Sequence, residues 1–135
     1  MICQVTERED LGAQLARATR RLIALERPVL DKHGVTMWEY VALLRLRSAP
    51  ARTQLELAQA IGYDKTRLIA LLDGLAQRGL VTREPAREDR RARTVTLTRS
   101  GQAQLTAIQR DIHQMEDGLL EAAERQALQQ LLDRL

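Results

Sequence analysis

"TQLELAQAIGYDKTRLIALLDGLAQRGLVTREPAREDRRARTVTLT", Thr53 to Thr98, decides the architecture of this 135-residue chain. Thr53 and Glu56 have capping-box spacing, so a short helix opens there and carries Leu55, Leu57, Ala58 and Ile61. Gly62 supplies the positive φ that a tight turn requires. Asp64 caps a second helix with Leu68, Leu71, Leu72 and Leu75 on one face, and Gly79 ends it. Leu80–Glu84 and Arg93–Leu97 then alternate as two short strands. Ala58, Gly62 and Leu68 have the spacing of a helix–turn–helix: a small residue at the crossing, glycine in the turn, an apolar lock on the second helix. A hairpin placed directly behind such a pair makes it a winged helix.

The hairpin tip packs Arg87, Arg90, Arg91 and Arg93 around one acidic pair, Glu88–Asp89. In a winged helix the second helix is expected in the major groove of a duplex, and the tip at phosphates or an adjacent minor groove. A narrow minor groove has a strong negative potential, which favours an inserted arginine. Asp89, unfavourable against DNA by itself, is expected to pair with Arg91 and hold it extended. Lys65, Thr66 and Arg67 occupy the first turn of the reading helix, where free N–H groups and the dipole favour phosphate. Arg67 can donate two bonds to guanine, whereas Ile69 or Ala70, if outward, can touch only a thymine methyl. Arg52 and Thr53, at the entry to the pair, complete the expected DNA-facing set.

Working outward, Thr6 with Glu9 reads as a capping box, followed by Leu11, Leu15, Ala18, Leu22, Leu25 and Val29 at helical spacing. Pro28 is expected to kink or end that helix. After Gly34, Thr36 and Glu39 open a helix carrying Val41, Ala42, Leu44 and Leu46, stopped at Ser48–Pro50; Trp38 and Tyr40 are read as core. Thr98 starts a long helix with Leu105, Ile108, Ile112, Met115 and Leu119, and a last amphipathic helix carries Ala123, Leu128, Leu131, Leu132 and Leu135. The expected fold class is mainly α with a small β-hairpin. A single domain, 1–135, holds a winged helix–turn–helix core at 36–98, flanked by helices at 6–33 and 99–135. The apolar stripes of those flanking helices outrun so small a core, and a second copy of the chain is the economical cover: a homodimer.

Composition narrows the class. Apolar residues make up 44%, with no Phe, so the core rests on aliphatic side chains. The single Cys3 excludes an internal disulfide. No apolar run approaches the roughly 18 residues of a membrane span, and "MICQVTERED" lacks a signal-peptide core, so a soluble cytoplasmic protein is expected. Net charge is only +3, but Arg78–Arg99 sets seven arginines against Glu84, Glu88 and Asp89, while residues 100–135 set three against six acids. A localised basic segment is the footprint of a polyanion-binding surface. With no glycine-rich phosphate loop, no nucleophile elbow and two isolated histidines, no enzyme and no cofactor are expected. His113 with Glu116 and Asp117 has ligand-like spacing but no second His or Cys nearby, so it reads as a polar helix face and no metal is expected. The competing class is a helical interaction module whose arginines bind an acidic protein partner.

"VTMWEYVALLRL" (Val35–Leu46), "TQLELAQAIGYDKTRLIALLDGLAQRGLVTR" (Thr53–Arg83) and "EDRRARTVTLTRSG" (Glu88–Gly101) together resemble the MarR family of bacterial transcriptional regulators over nearly the whole chain. The family's Asp-x-Arg falls at Asp89 and Arg91, and its Leu-Thr-x-x-Gly at Leu97, Thr98 and Gly101. The resemblance implies a nucleoid-associated homodimer, joined by its terminal helices, on a palindromic operator. It further implies repression released by a small aromatic or anionic effector, with Arg20, Arg21, Trp38 and Tyr40 as pocket candidates. Two departures stand out. The family's Thr-Arg in the middle of the reading helix is replaced by Ile69 and Ala70, which shifts base contacts toward Thr66 and Arg67. The reactive cysteine of its peroxide-sensing branch has no counterpart in Asp10–Gln14, with Cys3 lying upstream.

Overall fold

Thr36, Thr53, Asp64 and Thr98 each accept a hydrogen bond from the backbone N–H three residues on, and each opens a helix. At Thr36 the box is reciprocal, Glu39 accepting from the Thr36 N–H at 3.0 Å. The computed structural model describes residues 8–49, 52–88 and 91–135. Along them run α1 (Leu11–Lys32), α2 (Met37–Ser48), β1 (Arg52–Thr53), α3 (Gln54–Ile61), α4 (Lys65–Gln77), β2 (Val81–Pro85), β3 (Arg93–Leu97), α5 (Arg99–Asp117) and α6 (Ala122–Asp133).

The anticipated order holds, and four points add to it or depart from it. Pro28 sits inside α1, which continues to Lys32. Its ring removes one helical hydrogen bond, but the residue is exposed, so water can serve the freed carbonyl. Thr6 and Cys3 lie outside the described residues; α1 is preceded by Asp10, and Glu9 instead pairs with Arg17 at 2.6 Å. Trp38, read as core, is 41% exposed and stacks on Tyr63 with ring centroids 4.5 Å apart. Tyr40, two residues on, points the opposite way and is buried. The fourth point is a strand with no periodic signal: β1 pairs antiparallel with β3, Arg52 opposite Val95 and Thr53 opposite Thr94, giving a sheet in the order β1-β3-β2.

Leu43, Leu46, Leu57, Leu68, Leu72, Leu75 and Val95 fill the centre. The core is not confined to 36–98, because Leu30 of α1 and Leu105, Ile108 and Ile112 of α5 belong to it. The winged-helix core therefore leans on both flanking helices, chiefly through α2. Two joints set its orientation. Arg78, at the end of α4, pairs with Glu39 of α2 and donates to the Gly34 carbonyl at 2.8 Å. At the start of α5, Thr98 donates its hydroxyl to the Gly79 carbonyl at 2.6 Å and its N–H to the Leu80 carbonyl at 3.1 Å. Gly101 lies so close that a Cβ there would stand 2.1 Å from the Leu80 oxygen.

Away from that core, α1 and α6 leave apolar side chains exposed. Leu30 is the one buried residue of α1, and α6 buries none. Leu11, Leu22, Ile23, Leu119, Leu128, Leu131 and Leu132 are all exposed in the single chain.

Candidate nucleic-acid interface

Helix α4 buries Leu68, Leu72 and Leu75 against the core, which forces its other residues outward. Lys65, Thr66 and Arg67 are exposed in its first turn, and Ile69 and Ala70 in its second. The Asp64 carboxylate accepts from the Arg67 N–H at 2.9 Å, leaving the Arg67 guanidinium free to reach outward. Gly62, at φ +67°, makes the turn that sets α4 across α3, with Ala58 buried at the crossing.

The hairpin stands beside this helix. The Ala86 N–H donates to the Ala92 carbonyl at 2.9 Å and closes its base. Arg87, Glu88, Arg91 and Arg93 are exposed. Asp89 and Arg90 lie outside the described residues, and so does the expected Asp89–Arg91 pair. Of Arg52 the backbone is described, within β1; Thr53 spends its hydroxyl on the Glu56 N–H at 3.2 Å, as the cap of α3.

Three residues that sequence reasoning passed over hold the two parts together. Arg83 of β2 forms an ion pair with Asp73 of α4 and approaches Gln54 Oε1 of α3 at 3.5 Å. Arg83 was hidden within an alternating strand, and no local spacing connects it to Asp73. A cleft of about 310 Å³ between wing and helices is lined by Thr53, Gln54, Lys65, Arg91 and Arg93, with a second of about 270 Å³ beside it lined by Gln54, Ile69, Arg83 and Arg93. The N-terminus of α3 and the first residue of α4 thus open on the same cleft as two wing arginines. Partial positive charge from helix ends and full charge from guanidinium groups add there, which is what a phosphate backbone requires.

The four pocket candidates do not converge. Arg20 and Arg21 are exposed on α1, and Tyr40 is buried facing Gln109 of α5. Trp38 lines a separate groove of about 530 Å³ between α1 and α2, with Ile23, Arg27, Leu30, Val35 and Met37. Arg27 and Asp31, neither anticipated, bring one cation and one carboxylate to that groove. Deeper between α1 and α5, burial and then the neighbouring Glu116 raise the Glu26 carboxyl above its ordinary range. Burial likewise raises the Tyr40 phenol. On the other side of α5, the Asp111 carboxyl is held below its usual range by the hydrogen bond to His33, at 2.7 Å, with Lys32 assisting at 3.6 Å. Among the described residues no three His, Cys, Asp or Glu side chains are grouped to hold a metal ion, and no helix is long and apolar enough to cross a membrane.

The same arrangement recurs in known proteins. A family model described as MarR family matches residues 33–92. The reduced form of MarR from E. coli is 30% identical, with 95% of this chain and 97% of that one covered and a TM-score of 0.79. The chain belongs to the MarR family. These are winged-helix transcriptional regulators, and two DNA-bound members align closely with it. The transcriptional repressor CouR bound to a 23-mer DNA duplex is 28% identical, with 99% and 97% covered and a TM-score of 0.82. A mutant MarR from E. coli complexed with operator DNA is 28% identical, with 92% and 91% covered and a TM-score of 0.73.

Proposed function

We propose that this MarR-family chain is a sequence-specific repressor that binds a palindromic DNA operator as a homodimer in the bacterial cytoplasm and leaves it when a small ligand binds. The observation that carries the reading is the shared cleft: Lys65 of α4, the start of α3, and Arg91 and Arg93 of the wing line one concave surface. Such a surface follows a sugar–phosphate strand while α4 enters the major groove. The relatives solved on DNA support it, as do the exposed leucines of α1 and α6, which a second copy would cover.

Release follows from geometry. Two reading helices must meet half-sites roughly 34–36 Å apart, so a modest change in their separation abolishes binding. The groove beside Trp38 suits a small aromatic ligand: its walls are largely apolar, and the Arg27 guanidinium and Asp31 carboxylate both line it. Trp38 stacks on Tyr63, the residue before the Asp64 cap of α4, so an occupant of the groove would press on the reading helix.

The test is fluorescence anisotropy on a duplex selected from a random library, over a range of salt. Arg91→Ala should weaken binding and lower the magnitude of the salt slope by about 1 for each phosphate that the wing no longer neutralises. Unchanged affinity and slope would remove the wing from the interface. Indifference to every duplex, with retention on acidic proteins, would turn the arginines over to a protein partner.

A further inference from the structure

Between Arg67 and Gln77, a single polar side chain, Asp73, appears on α4, and the Arg83 ion pair engages it. The outward surface of that stretch is Ile69, Ala70 and Gly74 beside the paired carboxylate. The middle of α4 therefore presents no side-chain hydrogen-bond donor. Ile69 is the one exposed large side chain there, Leu71 being half-buried against the core. It is 36% exposed and lies on the wing side, lining the smaller cleft with Gln54, Arg83 and Arg93.

Base edges in the major groove offer acceptors, donors and a single apolar group, the C5-methyl of thymine. A branched aliphatic side chain set against N7, O6 or an exocyclic amine strips water from a polar atom and returns no hydrogen bond. Against the thymine methyl it buries apolar surface on both sides. Ala70, with one methyl group and no reach, cannot make the same contact at the same distance. We infer that Ile69 is a specificity-determining residue, reading the methyl group of one thymine in each half-site. The inference rests on the proposed operator binding and adds the chemistry of one base position to it.

The experiment replaces each thymine of the selected duplex in turn by deoxyuridine, which keeps pairing and removes only the methyl group. Wild type and Ile69→Ala are then titrated against every duplex. One position per half-site should weaken wild-type binding about fourfold, the equivalent of one buried methyl. Ile69→Ala should bind the thymine duplex more weakly and show no further weakening at that position, while keeping its sensitivity elsewhere. Ile69 is surface-exposed, and matching circular dichroism and melting curves would show that the variant folds. Uracil sensitivity that Ile69→Ala leaves intact at every position overturns the assignment, as does coupling to Ala70→Gly instead. Failure of wild type to bind any duplex overturns the function proposed above, and this inference with it.

Discussion

Gly101→Ala is the perturbation whose outcome the joint between α5 and the helix–turn–helix determines most directly. The new Cβ would stand 2.1 Å from the Leu80 oxygen and 2.8 Å from Leu97 Cδ1. The leucine side chain can rotate away, but the carbonyl is backbone and cannot. Restoring an ordinary contact needs a displacement of about 1 Å between α5 and the turn after α4. That movement stretches the two bonds from Thr98 to Gly79 and Leu80, each contributing about 0.5–1.5 kcal/mol. Overpacking adds about 1–3 kcal/mol. The expected cost is therefore about 2–6 kcal/mol, read as a lower denaturation midpoint in guanidinium at fixed protein concentration. Gly74→Ala is the matched control, since a Cβ there meets nothing within 4 Å and replaces a mid-helix glycine. It should stabilise by up to about 1 kcal/mol. Equal effects from the two substitutions, or a Gly101→Ala chain within about 0.5 kcal/mol of wild type, would refute the claim that α5 rests on the Leu80 carbonyl.

Three further outcomes follow from charge and burial. Asp111 has a lowered pKa in the folded chain, so its stabilising contribution is present above the ordinary carboxylate range and is lost as pH falls through the folded value. Asp111→Asn should flatten the acid limb of a stability–pH profile. Glu26 behaves oppositely: its raised carboxyl costs stability as pH rises from the unfolded toward the folded value, and the cost persists above it. Glu26→Gln should accordingly stabilise at neutral pH and have little effect at pH 3, measured by thermal melting. Leu131, 56% exposed on α6, is read as part of the dimer face. Leu131→Asp should cost about 2 kcal/mol or more, roughly thirtyfold in the dimer Kd, by light scattering across a dilution series; an unchanged dimer would place the interface elsewhere.

Local chemistry made most of the fold legible. Capping residues at Thr36, Thr53, Asp64 and Thr98 act within three residues of themselves, and Gly62 acts on its own φ, so each is visible in the linear sequence. The Leu68, Leu72 and Leu75 seam is likewise a matter of 3.6-residue spacing, and it determines which residues of α4 remain outside. The exposure of Lys65, Thr66, Arg67, Ile69 and Ala70 follows from it.

What the tertiary structure decided is whatever joins residues far apart in the chain. Strand β1 is two residues long, too short for any alternation, and exists because β3 offers it a partner some forty residues later. The Arg83–Asp73 pair, the Gln54 approach and the His33–Asp111 clasp leave no mark on local spacing. Trp38 and Tyr40 are both aromatic residues in the first turn of α2, yet one lines a groove and the other the core, because a helix turns about 200° between them. Sequence patterning states which faces are apolar; only packing states which of those faces the chain covers with itself.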